Sequence, residues 1–158
     1  MDKETCCPEF NPAPWDEKEI KWENKKFIKD HVACFFHIPL NFGSKMVKNV
    51  NAMKEANAVP AGSEFIVLSK HDSMWGMDIY LKTIRDVPGA ETSAISGTFL
   101  SKVFEGHYKN TPLWIKEMER YVTAKGQEIK DLFFYYTACP KCAKKYGKNY
   151  VVLLAKTN

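Results

Sequence analysis

Missing from this sequence is any apolar run able to cross a bilayer: the stretch Tyr150 to Ala155 near its end falls far short of the about 20 residues a spanning helix needs. No membrane partner is expected. A glycine-rich phosphate loop, a G-x-S-x-G elbow and an H-E-x-x-H helix are absent too, which removes the commonest nucleotide, serine-hydrolase and zinc-protease readings. Met1 to Thr5 carries neither the basic start nor the apolar run of a secretory signal, so a cytoplasmic location is expected. Long blocks of one charge are also lacking. Net charge is +4 with lysines scattered among acidic residues, and the densest basic stretch, Lys141 to Lys148, reads as a solvated turn, so no nucleic-acid partner is expected.

What remains is ordinary material for one autonomous domain: 158 residues, 45% hydrophobic and 27% charged. Five cysteines, an odd number, suit thiols, metal ligands or redox groups better than structural disulfides in a reducing compartment. Cys139-Pro140-Lys141-Cys142 has the spacing of half a zinc site, and Cys6 and Cys7 could supply two more thiolates if the N-terminal segment folds back. Adjacent cysteines make an awkward chelate. The C-x-x-C turn opens no long helix, which disfavours thioredoxin-like chemistry.

Residues 1–30 read as an arm, because Pro8, Pro12 and Pro14 interrupt regular structure and Asp16 to Lys26 is highly charged. Phe10, Trp15, Trp22 and Phe27 should anchor that arm on the domain that follows, residues 31–158. There the β-formers from His31 to Leu40 predict a strand, and Ser44 is a candidate N-cap for a helix carrying Met46, Val47, Val50 and Met53 and ending before Pro60. Strands are predicted at Glu64 to Ser69 and Met77 to Arg85, separated by a turn around His71, Asp72 and Ser73. The same order recurs. A strand at Ala94 to Phe104 precedes a helix capped by Thr111, with Pro112 at its first position and Gly126 as its stop, and strands follow at Asp131 to Ala138 and Asn149 to Lys156. The expected class is therefore α+β: two β-α-β-β units forming a mostly antiparallel curved sheet, helices on one face, with a groove between the halves.

Gly97-Thr98-Phe99, the run Phe104-Glu105-Gly106-His107-Tyr108, a helix, Phe134-Tyr135-Tyr136 with Pro140 and a closing apolar strand resemble the gyrase-inhibitor-like (GyrI-like) small-molecule-binding domain. The resemblance covers about residues 31 to 158. It implies kinship with effector-binding domains of multidrug-responsive regulators, and with stand-alone members that hydrolyse reactive small molecules. The family's Gly-x-Tyr falls on Gly106, His107 and Tyr108, and its Tyr-to-Pro segment on Tyr136 and Pro140. Where many drug-binding members carry an acidic residue in the last strand, this chain reads Lys148-Asn149-Tyr150-Val151, which argues against a cationic ligand.

Hydrolysis needs a water activator, and the candidates are the carboxylates Glu105 and Asp78, with tyrosine assistance from Tyr136 as the resemblance implies. Trp75, Tyr80, His107, Tyr108, Trp114 and Tyr150 are the candidate ligand lining, since rings with hydroxyl or indole donors suit a flat ligand. The leading expectation is a domain that binds an aromatic or amphipathic small molecule in the groove, with no cofactor, and hydrolysis of a reactive compound is the open extension of that binding. The alternative is a structural or interaction module holding zinc on Cys6, Cys7, Cys139 and Cys142.

Overall fold

The computed structural model describes residues 11–35, 38–60, 65–73, 75–137 and 149–157, with 38–39, 71–73 and 108 followed along the backbone alone. The described elements run β1 (Lys18–Phe35), β2 (Ile38–Pro39), α1 (Phe42–Glu55), β3 (Val67–Ser73), β4 (Gly76–Lys82), β5 (Glu91–Glu105), α2 (Thr111–Ala124), β6 (Asp131–Tyr136) and β7 (Tyr150–Lys156). A 3-10 turn at Tyr108–Asn110 leads into α2. Among the described residues, no helix is long and apolar enough to cross a membrane. The chain divides into two compact units, Trp22–Ser96 and a second made of Met1–Lys21 with Gly97–Asn158.

In the Trp22–Ser96 unit β1 pairs antiparallel with β4, and β4 with β3. Even-numbered Ile28, Val32 and Cys34 on β1 share a face with Met77, Ile79 and Leu81 on β4, and α1 covers that face through Met53, with Phe42, Met46 and Val50 packed alongside. Val47, expected on this apolar stripe, is 61% exposed, because one residue past Met46 is a 100° turn of the helix away from the core. Truncating Met53, which is fully buried, would leave a cavity costing about 2–5 kcal/mol.

The second unit repeats the arrangement: β5 pairs with β7, β7 with β6, and α2 lies on one face through Trp114, Met118 and Val122. On the other face Trp15 of the preceding segment packs edge-on against Tyr135, their ring centroids 5.4 Å apart. The Asp16 carboxylate accepts the Val103 N–H at 3.2 Å, occupying a strand-edge donor that water would otherwise satisfy.

Both helices stop by the same device. After α1, Asn57 (φ 53°) donates to the Lys54 carbonyl and Ala58 to that of Met53; after α2, Gly126 (φ 73°) donates to Thr123 and Gln127 to Val122. These are Schellman pairs closed by a left-handed residue, asparagine in one unit and glycine in the other. The N-termini differ from expectation. Asn41 and Asn110 occupy the N-cap positions, neither with a side-chain capping bond, so Ser44 and Thr111 lie inside their helices. The Asn41 amide oxygen instead accepts the Ala33 N–H at 2.9 Å, tying the start of α1 to β1.

The first strand also differs. It begins at Lys18 rather than His31, so a highly charged stretch expected in the arm is paired backbone. A left-handed residue hides it from a period-two reading: Asn24 sits at φ 49°, its N–H bound to Ser96 Oγ at 2.8 Å, and Trp22 and odd-numbered Phe27 meet with rings 5.9 Å apart. The strand expected to reach Leu40 ends at Phe35, and Ile38–Pro39 returns as a short antiparallel partner, which places Pro39 in a two-residue strand. Residues 71–73, expected as a turn, continue β3 through a register shift.

Asp30 links sheet to helix. Its carboxylate accepts the Asn49 amide at 2.8 Å, the His31 backbone N–H at 2.8 Å and the Lys45 ammonium at 3.5 Å. Burial pushes its pKa up, but the Asn49 and His31 hydrogen bonds and the Lys45 and Lys48 charges outweigh this and hold it below the ordinary 3.8. A carboxyl depressed on folding contributes stability above its unfolded value, and that contribution disappears as pH falls through the folded one. Asp30→Asn is therefore expected to cost about 1.5–3 kcal/mol at pH 7, with the gap to wild type closing on titration below pH 3.8 in urea unfolding. A gap independent of pH would contradict this role.

Candidate carboxylate and imidazole site

The sequence-derived candidates fall into two groups. In the second unit, Glu105 is exposed at the end of β5 and stands opposite Tyr150 in register. Gly106 follows at φ 140°, held by Asn149, whose carbonyl accepts the Gly106 N–H and whose amide donates to the Gly106 carbonyl at 2.7 Å. Exposed His107 uses Nδ1 to accept the Lys109 N–H at 3.1 Å, a local turn bond. Tyr108 lies in the 3-10 turn, its side chain outside the described residues. Trp114, on the buried face of α2, stacks on Phe104 with centroids 5.8 Å apart. Tyr136 lies on the same α2-covered face, stacked on Phe134 at 6.1 Å. Cys6, Cys7, Cys139 and Cys142 lie outside the described residues. Among the described residues, no group of three or more His, Cys, Asp or Glu side chains is placed to hold a metal ion.

In the Trp22–Ser96 unit Trp75, Asp78 and Tyr80 share the short segment leading into and along β4. The strand's alternation sends Met77, Ile79 and Leu81 toward α1, so Gly76, Asp78 and Tyr80 belong to the opposite face. Antiparallel register then chooses their neighbours. Asp78 stands between Lys70 on β3 and His31 on β1, and the next row is Leu68, Tyr80 and Lys29.

His31 Nδ1 lies 3.2 Å from Asp78 Oδ1, and Lys29 Nζ lies 3.9 Å from Asp78 Oδ2. The carboxylate offers only acceptors, so at this contact the imidazole donates its Nδ1 proton, and its Nε2 lies away from Asp78, over Gly76. Asp78 is 24% exposed and His31 56%, so the carboxylate is sheltered while the imidazole meets solvent. Lys29 also lies 6.0 Å from the centroid of the mostly buried Tyr80 ring, which restricts where its ammonium can go.

Gly76 makes the placement possible. A Cβ at that position would stand 2.6 Å from His31 Cε1 and 2.7 Å from Nε2, so the imidazole occupies the volume that any larger residue would fill. From below, the His31 backbone N–H is fixed by Asp30. The imidazole is thus set by the strand register, a carboxylate beside it and a missing side chain beneath it. Buried Cys34, on the opposite face of β1, has its thiol pKa pushed up by desolvation, which keeps it protonated and poorly nucleophilic.

An imidazole oriented by a carboxylate at one ring nitrogen can act as a general base through the other, taking a proton from water and returning it to a leaving group. Sequence reasoning singled out Asp78 and missed His31, because the two are 47 positions apart and only the β1–β4 register joins them. One signal was present: His31 is odd-numbered on a strand whose even positions, Val32 and Cys34, are apolar, so it must face away from the core.

No curated protein matches the chain. The model of a family described as Bacterial hydrolase matches residues 1–157, nearly the full length. A match over that span places the chain in the bacterial hydrolase family, of which it is a member.

Proposed function

We propose that the chain hydrolyses a small aromatic or amphipathic molecule, with His31 as the general base and Asp78 as the group that orients it. The 3.2 Å contact between His31 Nδ1 and Asp78 Oδ1 carries this reading, supported by membership of a hydrolase family. For an ester, His31 Nε2 accepts a proton from water while the water oxygen forms a bond to the carbonyl carbon. The bond from that carbon to the leaving oxygen then breaks, and the imidazolium returns its proton to the departing alkoxide. The products are one carboxylic acid and one alcohol.

Lys29, 3.9 Å from Asp78 Oδ2, sets positive charge against the carboxylate that orients the imidazole. Asp78 is favoured over Glu105 because it is sheltered and coupled to an imidazole, whereas Glu105 faces solvent. The β-α-β-β order of each unit supports kinship with GyrI-like domains, and a small-molecule substrate follows from the same reading.

Removing a general base typically costs 10²–10⁴-fold, so His31→Ala is expected to lower kcat for small esters by about that factor. Asp78→Asn is expected to lower kcat with little change in KM, because the amide no longer selects the reactive tautomer. Gly76→Ala tests geometry separately: it should displace the imidazole and depress kcat while shifting the melting temperature by no more than about 3 °C, since an exposed ring yields easily. Steady-state kinetics with acid release as the readout, beside thermal melts, checks all three. Undiminished turnover in both the His31 and the Asp78 variants would refute the assignment.

A further inference from the structure

We infer that Phe35 and Trp75 form the subsite for the substrate's aromatic group, so that the preferred substrate is an ester with a flat ring beside its scissile bond. The inference rests on the His31–Asp78 reading for the chemistry, and on separate observations for the ring site.

Phe35 and Trp75 are each 53% exposed, unlike most large apolar side chains of this unit, and their rings meet at 5.8 Å with planes 62° apart. Their backbones are tied down. Cys34 N–H donates to the Trp75 carbonyl at 2.7 Å, and Phe35 pairs in register with Ile38. An exposed aromatic pair held by strand hydrogen bonds is pre-organised and gives up little freedom on binding.

The pair is also aligned with the catalytic row. His31, Ala33 and Phe35 alternate on one face of β1, as the exposure of these three and the burial of Val32 and Cys34 between them confirm. Between the dyad and the rings, the register row is Ala33 opposite Gly76; the imidazole lies over Gly76, and Ala33 adds only a methyl group beside it. Adjacent rows on one face are about 7 Å apart, so the imidazole and the Phe35 ring bracket a shelf about one aromatic ring wide. A ring seated on Ala33 would have Phe35 and Trp75 at one edge and His31 Nε2 at the other, where an attached carbonyl receives the water. Lys29 and Lys70 on the same face disfavour a cationic ring.

The test compares benzyl acetate with butyl acetate, whose leaving alcohols differ little in acidity, and reads Trp75 independently by its indole N–H resonance, assigned from its loss in Trp75→Leu. Wild type is expected to favour benzyl acetate by about tenfold in kcat/KM. Phe35→Ala and Trp75→Leu should bring the ratio toward one, and benzyl alcohol should shift the Trp75 indole resonance. A ratio that survives both substitutions, or an unmoved indole resonance, would overturn the subsite even if His31→Ala abolishes turnover. A shifted resonance in a protein whose turnover survives His31→Ala would sink the base assignment and leave the ring site standing.

Discussion

The pairing of β1 with β4 governs both the stability of the Trp22–Ser96 unit and the position of its reactive groups. From Phe27 opposite Lys82 to Ala33 opposite Gly76 the two strands keep one unbroken register. Slipping β1 by a single residue would turn Ile28 and Val32 out of the core and bring Lys29 and His31 into it. Each apolar side chain exposed would cost about 1.5–3 kcal/mol, before counting the desolvation of the cations. The core beneath α1 thus sets the register, and the register sets His31 against Asp78. No loop has to position either residue, which suits a site needing sub-ångström placement.

The two units share a topology but use their open faces differently. In the second unit the residues facing away from α2 include Phe99, Phe133, Val152 and Leu154, all buried, so that face is spent on apolar packing. In the Trp22–Ser96 unit the corresponding face begins apolar at Phe27, Leu68 and Tyr80 and becomes polar at Lys70, Asp78 and His31. A β-α-β-β unit buries one sheet face under its helix and leaves the other to be specialised. Here one copy carries a carboxylate, an imidazole and two ammonium groups within adjacent register rows.

Much of the fold was legible in local chemistry. Pro112 inside the start of α2, Gly126 past its end and the continuous apolar runs of β6 and β7 act within a few residues, and a local reading of the sequence exposes them. Long-range choices were not. The left-handed backbone at Asn24 breaks the alternation that would reveal β1 before His31, and Asn41 serves as an N-cap whose amide is committed to Ala33 on β1. Of the site, Asp78 and Trp75 were legible as a carboxylate and a ring near a turn. His31 and Phe35 were not, because their roles arise only when β1 is laid beside β4, a pairing that no local window contains.

In the proposed mechanism, the β1–β4 register holds His31 with its Nδ1 proton on Asp78 and its Nε2 available as the base. Nitrogen-15 NMR of the imidazole reads this directly, since the protonated and unprotonated ring nitrogens resonate far apart. The expected spectrum at neutral pH shows a protonated Nδ1 and a bare Nε2 at His31, with that preference lost in Asp78→Asn. A His31 ring whose Nε2 carries the proton in the wild-type protein, as in free histidine, would contradict the account.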